Sequence, residues 1–176
     1  GEDVAEGIRD HYRPRFAGAE LPEGTCGCVL AVADKLDTIA GMFAIGEPPT
    51  GSKDPYALRR AAIGIVTILR DRLHVGYEPL VAAALESLAD QGIEFDAGKV
   101  AEDVNTFILG RMQQMAREDG ISADTVSAVS AGSVTAPDDF FALAHALEGA
   151  RANDPETFEN LAVAYARAAH LADASL

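Results

Sequence analysis

Apolar residues recur along most of this chain at the spacing of helices that are buried on one or more sides. Between Ala97 and Glu118, for example, they fall three or four residues apart and form a single stripe. A proline, a glycine or a capping residue separates each such segment from the next. The pattern predicts eight helices and no strand: 2–12, 24–44, 55–73, 78–90, 97–118, a short helix through 129, and two helices that open at Pro137 and Pro155.

The composition agrees with an all-α fold. Alanine is abundant, and β-branched residues do not alternate with polar ones over any useful length. We therefore predict an all-α, multi-helix bundle. The longest uncharged run in the first half, 61–69, is far shorter than the roughly 20 apolar residues that span a bilayer. No membrane association is expected.

Basic residues are concentrated in the first part of the chain. The net charge is -14, yet residues 1–72 hold nine of the 14 Lys and Arg against eleven acidic residues. Residues 73–176 hold five basic residues against seventeen acidic ones. Because an acidic surface repels phosphate, any contact with a polyanion is expected in the first part. The second part is expected to form scaffold or a subunit interface.

A cluster of cations surrounds one predicted helix start. Two prolines and a glycine end the preceding helix, and Asp54 followed by Pro55 is typical of an N-cap and a first helical residue. A helix is therefore expected to begin at Pro55. Its free backbone N–H groups favour an anion. Three cations lie close to this start in the sequence: Lys53, Arg59 and Arg60.

Two carboxylates interrupt the segment 24–44, which is otherwise nearly all apolar. Asp34 and Asp37 are three residues apart, so both would be partly buried if the helix is buried on most sides. We expect them to form structural ion pairs with the cations of the following helix, and we place Asp54 in the same structural group. Two alternatives stay open: a weak metal site that includes Asp34 and His11, or surface carboxylates without a specific role.

Three blocks of this sequence resemble the beta subunit of the bacterial two-subunit glycyl-tRNA synthetase. They are HYRPRFAG at 11–18, ADKLDT at 33–38 and PPTGSKDPYALRRAA at 48–62, in the family's order and spacing. A weaker match continues through 102–111 and 118–120. By this resemblance the chain is a fragment of a longer polypeptide. It would consist of the C-terminal part of an HD-type helical domain, 1–75, followed by a segment of the helical body domain, 76–176.

The resemblance implies a non-catalytic role in glycine–tRNA ligase. The segment would support binding and positioning of tRNA(Gly) and subunit assembly, in the cytoplasm, within an alpha2beta2 heterotetramer. ATP-dependent glycine activation, with Mg, would occur on the separate alpha subunit, so no catalytic residue and no cofactor is expected here. The candidate tRNA contacts are Lys53, Arg59, Arg60, Arg13 and Arg15, and the aromatic residues near them that could stack on bases are Tyr12, Phe16 and Tyr56.

An HD-type, metal-dependent phosphohydrolase acting on nucleotides is the alternative function. Such enzymes hold their metal with an adjacent His–Asp pair and a further helical Asp. This chain contains only the reverse order, Asp10–His11. The alternative therefore requires a His–Asp pair upstream of this sequence and a divalent metal near Asp34.

Overall fold

The computed structural model describes residues 2–16, 18–132 and 134–173. Ala17, within the first of the three sequence blocks, lies outside the described residues. Across the described ranges the chain forms eight α-helices, which confirms the predicted all-α bundle. The helices are α1 (Glu2–Asp10), α2 (Thr25–Ala44), α3 (Leu58–Ile68), α4 (Glu78–Asp90), α5 (Ala97–Glu118), α6 (Ala123–Ser130), α7 (Pro137–Asn153) and α8 (Pro155–Asp173).

The core lies around α2, which packs against α1, α3, α4 and α5. On the other side of the bundle, α5 packs against α6 and α7, and α8 packs against α7. The predicted stripe of α5 faces this core, with Phe107 and Met115 at its partly buried margin. Its fully or nearly fully buried members are Val100, Val104, Ile108 and Met112.

Most predicted helix boundaries are confirmed within one or two residues, but α3 begins at Leu58 rather than at Pro55. Ala57 adopts the left-handed conformation, with φ 55° and ψ 34°, so the helix cannot extend back through it. Asp54 still caps the helix: its carboxylate accepts the backbone N–H of Leu58 at 2.8 Å and that of Arg59 at 3.0 Å. Asp54 therefore caps the helix, as its place before Pro55 indicates, but it forms none of the expected ion pairs within the described residues.

A π-helical turn, Leu69–Leu73, continues α3. The N–H of His74 donates to the carbonyl oxygen of Leu69 at 2.8 Å, and His74 itself, with φ 53°, ends the helix. Nδ1 of His74 lies 3.1 Å from Oδ2 of Asp138 at the start of α7. The turn therefore connects the first three helices with α7, which also packs against it.

Packing continues across the domain boundary that the sequence places at 75/76. The N–H of Tyr77 donates to the carbonyl oxygen of Thr135 at 3.2 Å, and a Cβ added to Gly76 would lie 2.9 Å from Oγ1 of Thr135. Buried residues on both sides of the boundary belong to one hydrophobic core. The division into 1–75 and 76–176 stays a prediction.

The charge that α2 buries is a lysine and not a carboxylate. Asp34 and Asp37 are both exposed, which fits the alternative of surface carboxylates and not the expected partial burial. Neither forms an ion pair within the described part of the chain. Lys35, between them, is only 8% exposed. Because α2 is apolar on almost every side, its pattern did not indicate which side faces solvent.

Candidate functional site

A cleft of about 380 Å³ brings together three of the segments that the sequence singled out. It is lined by the connection after α1, by α3 with its π-helical turn, and by the C-terminal end of α5. The connection begins in the first sequence block, α3 begins in the third with Arg60, and the end of α5 belongs to the weaker match at 118–120. The residues that define its character are Phe16, Arg60, Gly64, Arg70, Glu118 and Asp119.

The neighbouring arginines of α3 have different surroundings. The Arg59 guanidinium donates to the carbonyl oxygen of Gly51 at 2.8 Å and to that of Lys53 at 3.4 Å. Arg60 is exposed and lines the cleft. Adjacent helical residues project about 100° apart, which is why only one of the two can turn back to the loop. Within the described ranges Arg60 makes no ion pair or side-chain hydrogen bond, so it is available to an anion.

The loop before α3 holds Lys53 at the surface. Thr50 and Lys53 exchange two backbone hydrogen bonds, of 3.1 and 2.8 Å. Gly51, between them, has φ 51°, a conformation that favours glycine. The two hydrogen bonds from Arg59 then attach this loop to α3. The backbone of Lys53 is thus fixed while its ammonium side chain is exposed.

The two arginines in the connection after α1 also differ. Nε of Arg13 lies 3.7 Å from Oδ1 of Asp10, and its Nη2 lies 3.5 Å from Oε2 of Glu20. Arg15 is exposed and has no ion pair in the described part of the structure. Arg13 is therefore engaged within the protein, whereas Arg15 can meet a ligand.

Three aromatic side chains near these cations are exposed rather than packed in the core. Phe16 is 63% exposed, Tyr12 61% and Tyr56 56%. Phe16 lines the cleft together with Arg60. Exposed aromatic rings beside cations are the groups on which unpaired nucleobases stack while their phosphates are neutralised. The surface therefore carries cations that can neutralise phosphates and aromatic rings on which bases can stack.

Lys35 fixes the connection that forms one side of the cleft. Its ammonium nitrogen donates to the carbonyl oxygens of Arg13 at 3.0 Å and His11 at 3.1 Å, with Ala31 more distant at 3.4 Å. Burial lowers the pKa of Lys35, and the charge of Asp34 offsets part of that effect. The lysine thus provides a hydrogen-bond donor to two backbone carbonyls of the connection, those of His11 and Arg13.

Gly64 allows α3 to approach this lysine closely. A Cβ added to Gly64 would lie 3.2 Å from Cε of Lys35 and 3.3 Å from Cγ of Pro14. Both distances are tighter than ordinary van der Waals contact, so a larger residue would push α3 away from the connection. Pro14, Lys35 and Gly64 therefore bring the first two sequence blocks into contact with α3.

The carboxylates of the cleft are largely engaged by other side chains. Arg70 donates from Nε to Oδ1 of Asp71 at 2.7 Å, and its Nη1 lies 4.0 Å from Oδ2 of Asp119. Glu118 accepts a hydrogen bond of 2.8 Å from Gln114. Arg70 is thus engaged by two carboxylates, and the hydrogen bond from Gln114 leaves the charge of Glu118 in place. Arg60 is the lining cation that makes no ion pair within the described residues.

No metal centre is assembled in the part of the chain that the structure describes. No group of three or more His, Cys, Asp or Glu side chains there is arranged to hold a metal ion. Nδ1 of His11 lies 2.6 Å from the carbonyl oxygen of Ile8, and Asp34 lies on the exposed side of α2. Among the same described residues no helix has the length and apolar character needed to cross a bilayer.

Three residues that shape the cleft were not predicted: Lys35, Gly64 and Arg70. Lys35 is the one basic residue of α2, and a single lysine in an apolar helix could have indicated a buried ammonium. Gly64 could have indicated a close approach, since glycine inside a helix costs about 1 kcal/mol relative to alanine. Arg70 gave no such signal, because the π-helical turn sets its direction.

Comparison with known proteins identifies relatives of the whole region that contains the cleft. A family model described as glycyl-tRNA synthetase beta subunit matches residues 1–131. The glycine–tRNA ligase beta subunit of Pectobacterium carotovorum is 44% identical over 154 residues, covering 87% of this chain and 22% of that protein. That of Salmonella typhi is 43% identical over 140 residues, covering 79% of this chain and 20% of that protein.

The chain spans about a fifth of the length of these curated relatives. A third relative, the beta subunit of Yersinia pestis, shows the same extent, with 44% identity over 140 residues. The family model covers the three sequence blocks and every residue of the cleft. The resemblance inferred from those blocks is thereby confirmed, and the chain belongs to the family of glycyl-tRNA synthetase beta subunits.

Proposed function

We propose that this segment contributes to the binding and positioning of tRNA(Gly) by glycine–tRNA ligase. The observation that carries the proposal is the cleft in which exposed Phe16 and Arg60, a cation without an ion pair in the described structure, lie together. Arg15, next to Phe16 in the chain, and Lys53, whose loop is hydrogen-bonded to Arg59, are two further exposed cations. Such a surface provides sequence-independent phosphate contacts with an adjacent ring for stacking.

The distribution of charge supports this location. The chain as a whole is strongly acidic, with net charge -14, and a polyanion would be repelled by most of its surface. The first 72 residues, which hold nine of the 14 basic residues against eleven acidic ones, are much closer to neutral than the rest. The acidic second part is better suited to contacts with other protein surfaces, including subunit assembly.

The chemical step would occur elsewhere in the enzyme. In this proposal ATP, with Mg, and glycine react on the separate alpha subunit, in a cytoplasmic alpha2beta2 assembly. The segment described here would hold tRNA so that its acceptor end reaches that site. Its contribution to glycylation is positioning, which lowers the entropic part of the barrier without bond chemistry of its own.

The reconstituted two-subunit enzyme provides the test. In a beta subunit carrying Lys53→Ala and Arg60→Ala, tRNA(Gly) affinity is expected to fall by about tenfold, because two phosphate contacts are lost. The dependence of log affinity on log salt should become shallower by about 0.7–0.9 per lost contact. Glycine activation measured without tRNA should not change.

Lys99→Ala and Arg167→Ala are the matched controls. Both residues are exposed and lie in the acidic part of the chain, outside the cleft. They should leave the affinity and the salt slope close to the unmodified values. If the variants at 53 and 60 bind tRNA no more weakly than these controls do, while remaining folded, the proposed RNA role is wrong.

A further inference from the structure

A second cavity lies between α2 and α4 and is almost entirely apolar. It has a volume of about 480 Å³ and is bounded by α2, by the end of the π-helical turn and its following loop, and by α4. Its walls are formed by Val29, Val32, Leu36, Val75, Leu80 and Ala83. We call this cavity the α2–α4 groove. It shares no residue with the cleft that contains Arg60.

The groove leaves large apolar side chains in contact with solvent. Val29 is 53% exposed and Val75 is 43% exposed, although both line the groove together with the buried core residues Val32 and Leu36. Each such side chain would gain free energy by being covered, since apolar burial is favourable in proportion to area. An apolar groove between two helices has the shape that accepts the apolar face of a third helix.

The exposed charges on both helical walls are negative. The one basic residue of α2, Lys35, is buried, while Asp34 and Asp37 are exposed and Asp37 lines the groove. α4 contains no basic residue, and its Glu86 and Asp90 are exposed. A helix with lysine or arginine beside its apolar stripe would therefore complement this groove, whereas an acidic helix would be repelled.

The length of the relatives points to the source of such a helix. The curated beta subunits are about four times as long as this chain, whose aligned residues cover 20–22% of them. We propose that the α2–α4 groove is filled by an amphipathic, basic-flanked helix from the remainder of the same beta-subunit polypeptide. This intramolecular contact would join the segment to the rest of the subunit, and it does not depend on the proposed tRNA role.

Thiol labelling in the full-length beta subunit, assembled with its alpha subunit, tests whether the groove is covered. Val29→Cys and Ala83→Cys place a reporter on each wall, in a Cys26→Ser background that removes the exposed native thiol. Each should react with a maleimide at least tenfold more slowly in the folded enzyme than in the same protein unfolded in urea. Thr106→Cys, on the exposed side of α5, is the matched control and should react within a few-fold of its unfolded rate.

Photo-cross-linking identifies the occupant. p-Benzoylphenylalanine at position 29 of the full-length subunit should cross-link to a peptide of the same polypeptide outside this segment, with Lys or Arg beside apolar residues spaced three or four apart. Mixing isotopically heavy and light beta subunits distinguishes contact within one polypeptide from contact between two. Cross-links to the alpha subunit, to a second beta subunit or to tRNA, no cross-link, or full maleimide reactivity at positions 29 and 83 would each overturn the proposal.

Discussion

The ammonium nitrogen of Lys35 lies 3.0 Å from the backbone carbonyl oxygen of Arg13. This contact joins two segments that are 22 residues apart, and a second bond to the carbonyl of His11 reinforces it. Between them, the two bonds determine where the connection after α1 runs. That connection carries Arg15 and Phe16 towards the cleft.

Replacement of Lys35 by methionine is expected to lower the free energy of unfolding by about 1–3 kcal/mol. Methionine fills a similar volume and removes a buried charge, but it leaves two carbonyl oxygens without their donor, and that cost dominates. Urea titration followed by circular dichroism measures the change. Lys99→Met, at an exposed position, should alter stability by less than about 0.5 kcal/mol. Equal effects of the two variants would contradict the structural role of Lys35.

Gly64→Ala and Gly110→Ala should change stability in opposite directions, although both alter a glycine inside a helix. At Gly110 nothing lies within 4 Å of the added Cβ, so the higher helix propensity of alanine should stabilise the protein by up to about 1 kcal/mol. At Gly64 the methyl group would press on Pro14 and on the stem of Lys35, whose ammonium is held in place. Crowding there should outweigh propensity and destabilise the protein by about 1 kcal/mol.

Thermal unfolding of the two variants in parallel measures this difference. A stabilising effect at both positions would mean that the contacts around Gly64 relax without cost. In that case Gly64→Ser, which adds a similar side chain at the same place, should also leave the melting temperature unchanged.

Asp54→Ala should destabilise the start of α3 by about 1 kcal/mol, as loss of an N-terminal cap usually does. The backbone N–H groups of Leu58 and Arg59 lose the carboxylate oxygens that now accept from them at 2.8 and 3.0 Å. Their hydrogen exchange should become faster in the variant. Asp54→Asn, which retains one acceptor oxygen, should show a smaller increase. Unchanged exchange at Leu58 and Arg59 in Asp54→Ala would contradict the capping role.

Glu148 should make stability depend on pH in the acidic range. The Ser122 hydroxyl donates to Oε2 of Glu148 at 2.6 Å, and this hydrogen bond lowers the pKa of Glu148 below its ordinary value of 4.5. Because the pKa is lower in the folded than in the unfolded protein, the stabilisation is complete above about pH 5 and is lost as the pH falls through the folded pKa. The difference in unfolding free energy between the unmodified protein and Glu148→Gln should therefore shrink towards acidic pH.

The same pH series in a Ser122→Ala background provides the control for Glu148. With the donor hydroxyl removed, Glu148→Gln should produce a smaller difference at neutral pH and a flatter curve. A pH dependence that survives unchanged in this background would assign the effect to another group.

The extent to which sequence predicted the fold differs from helix to helix. For α4 and α5, proline, aspartate and glycine mark the ends, and the structure places both helices at their predicted bounds. The start of α3 was predicted three residues early, because the positive φ of Ala57 arises from the packing of the loop and not from a residue that prefers it. The π-helical turn at its end was likewise not predictable from the apolar pattern.

The candidate site was predicted as a set of cations without their individual surroundings. Arg13 and Arg59 turn inward to acidic and carbonyl groups, whereas Arg15, Lys53 and Arg60 remain exposed. This division depends on which backbone oxygens the fold brings near each guanidinium, and periodicity carries no such information. The burial of Lys35 and the exposure of Asp34 and Asp37 were not predicted for a related reason. An almost uniformly apolar helix does not specify which side faces solvent.

The contact among Pro14, Lys35 and Gly64 has an evolutionary consequence. A larger residue at 64 would be tolerated only if position 14 or 35 became smaller at the same time, so single changes at these sites should be purged and compensating pairs retained. Substitutions at the three positions should therefore covary among beta subunits, even though 50 residues separate the first from the last. Two of the three short blocks, those at 11–18 and 33–38, would then record one steric constraint that they share with Gly64, just beyond the third block.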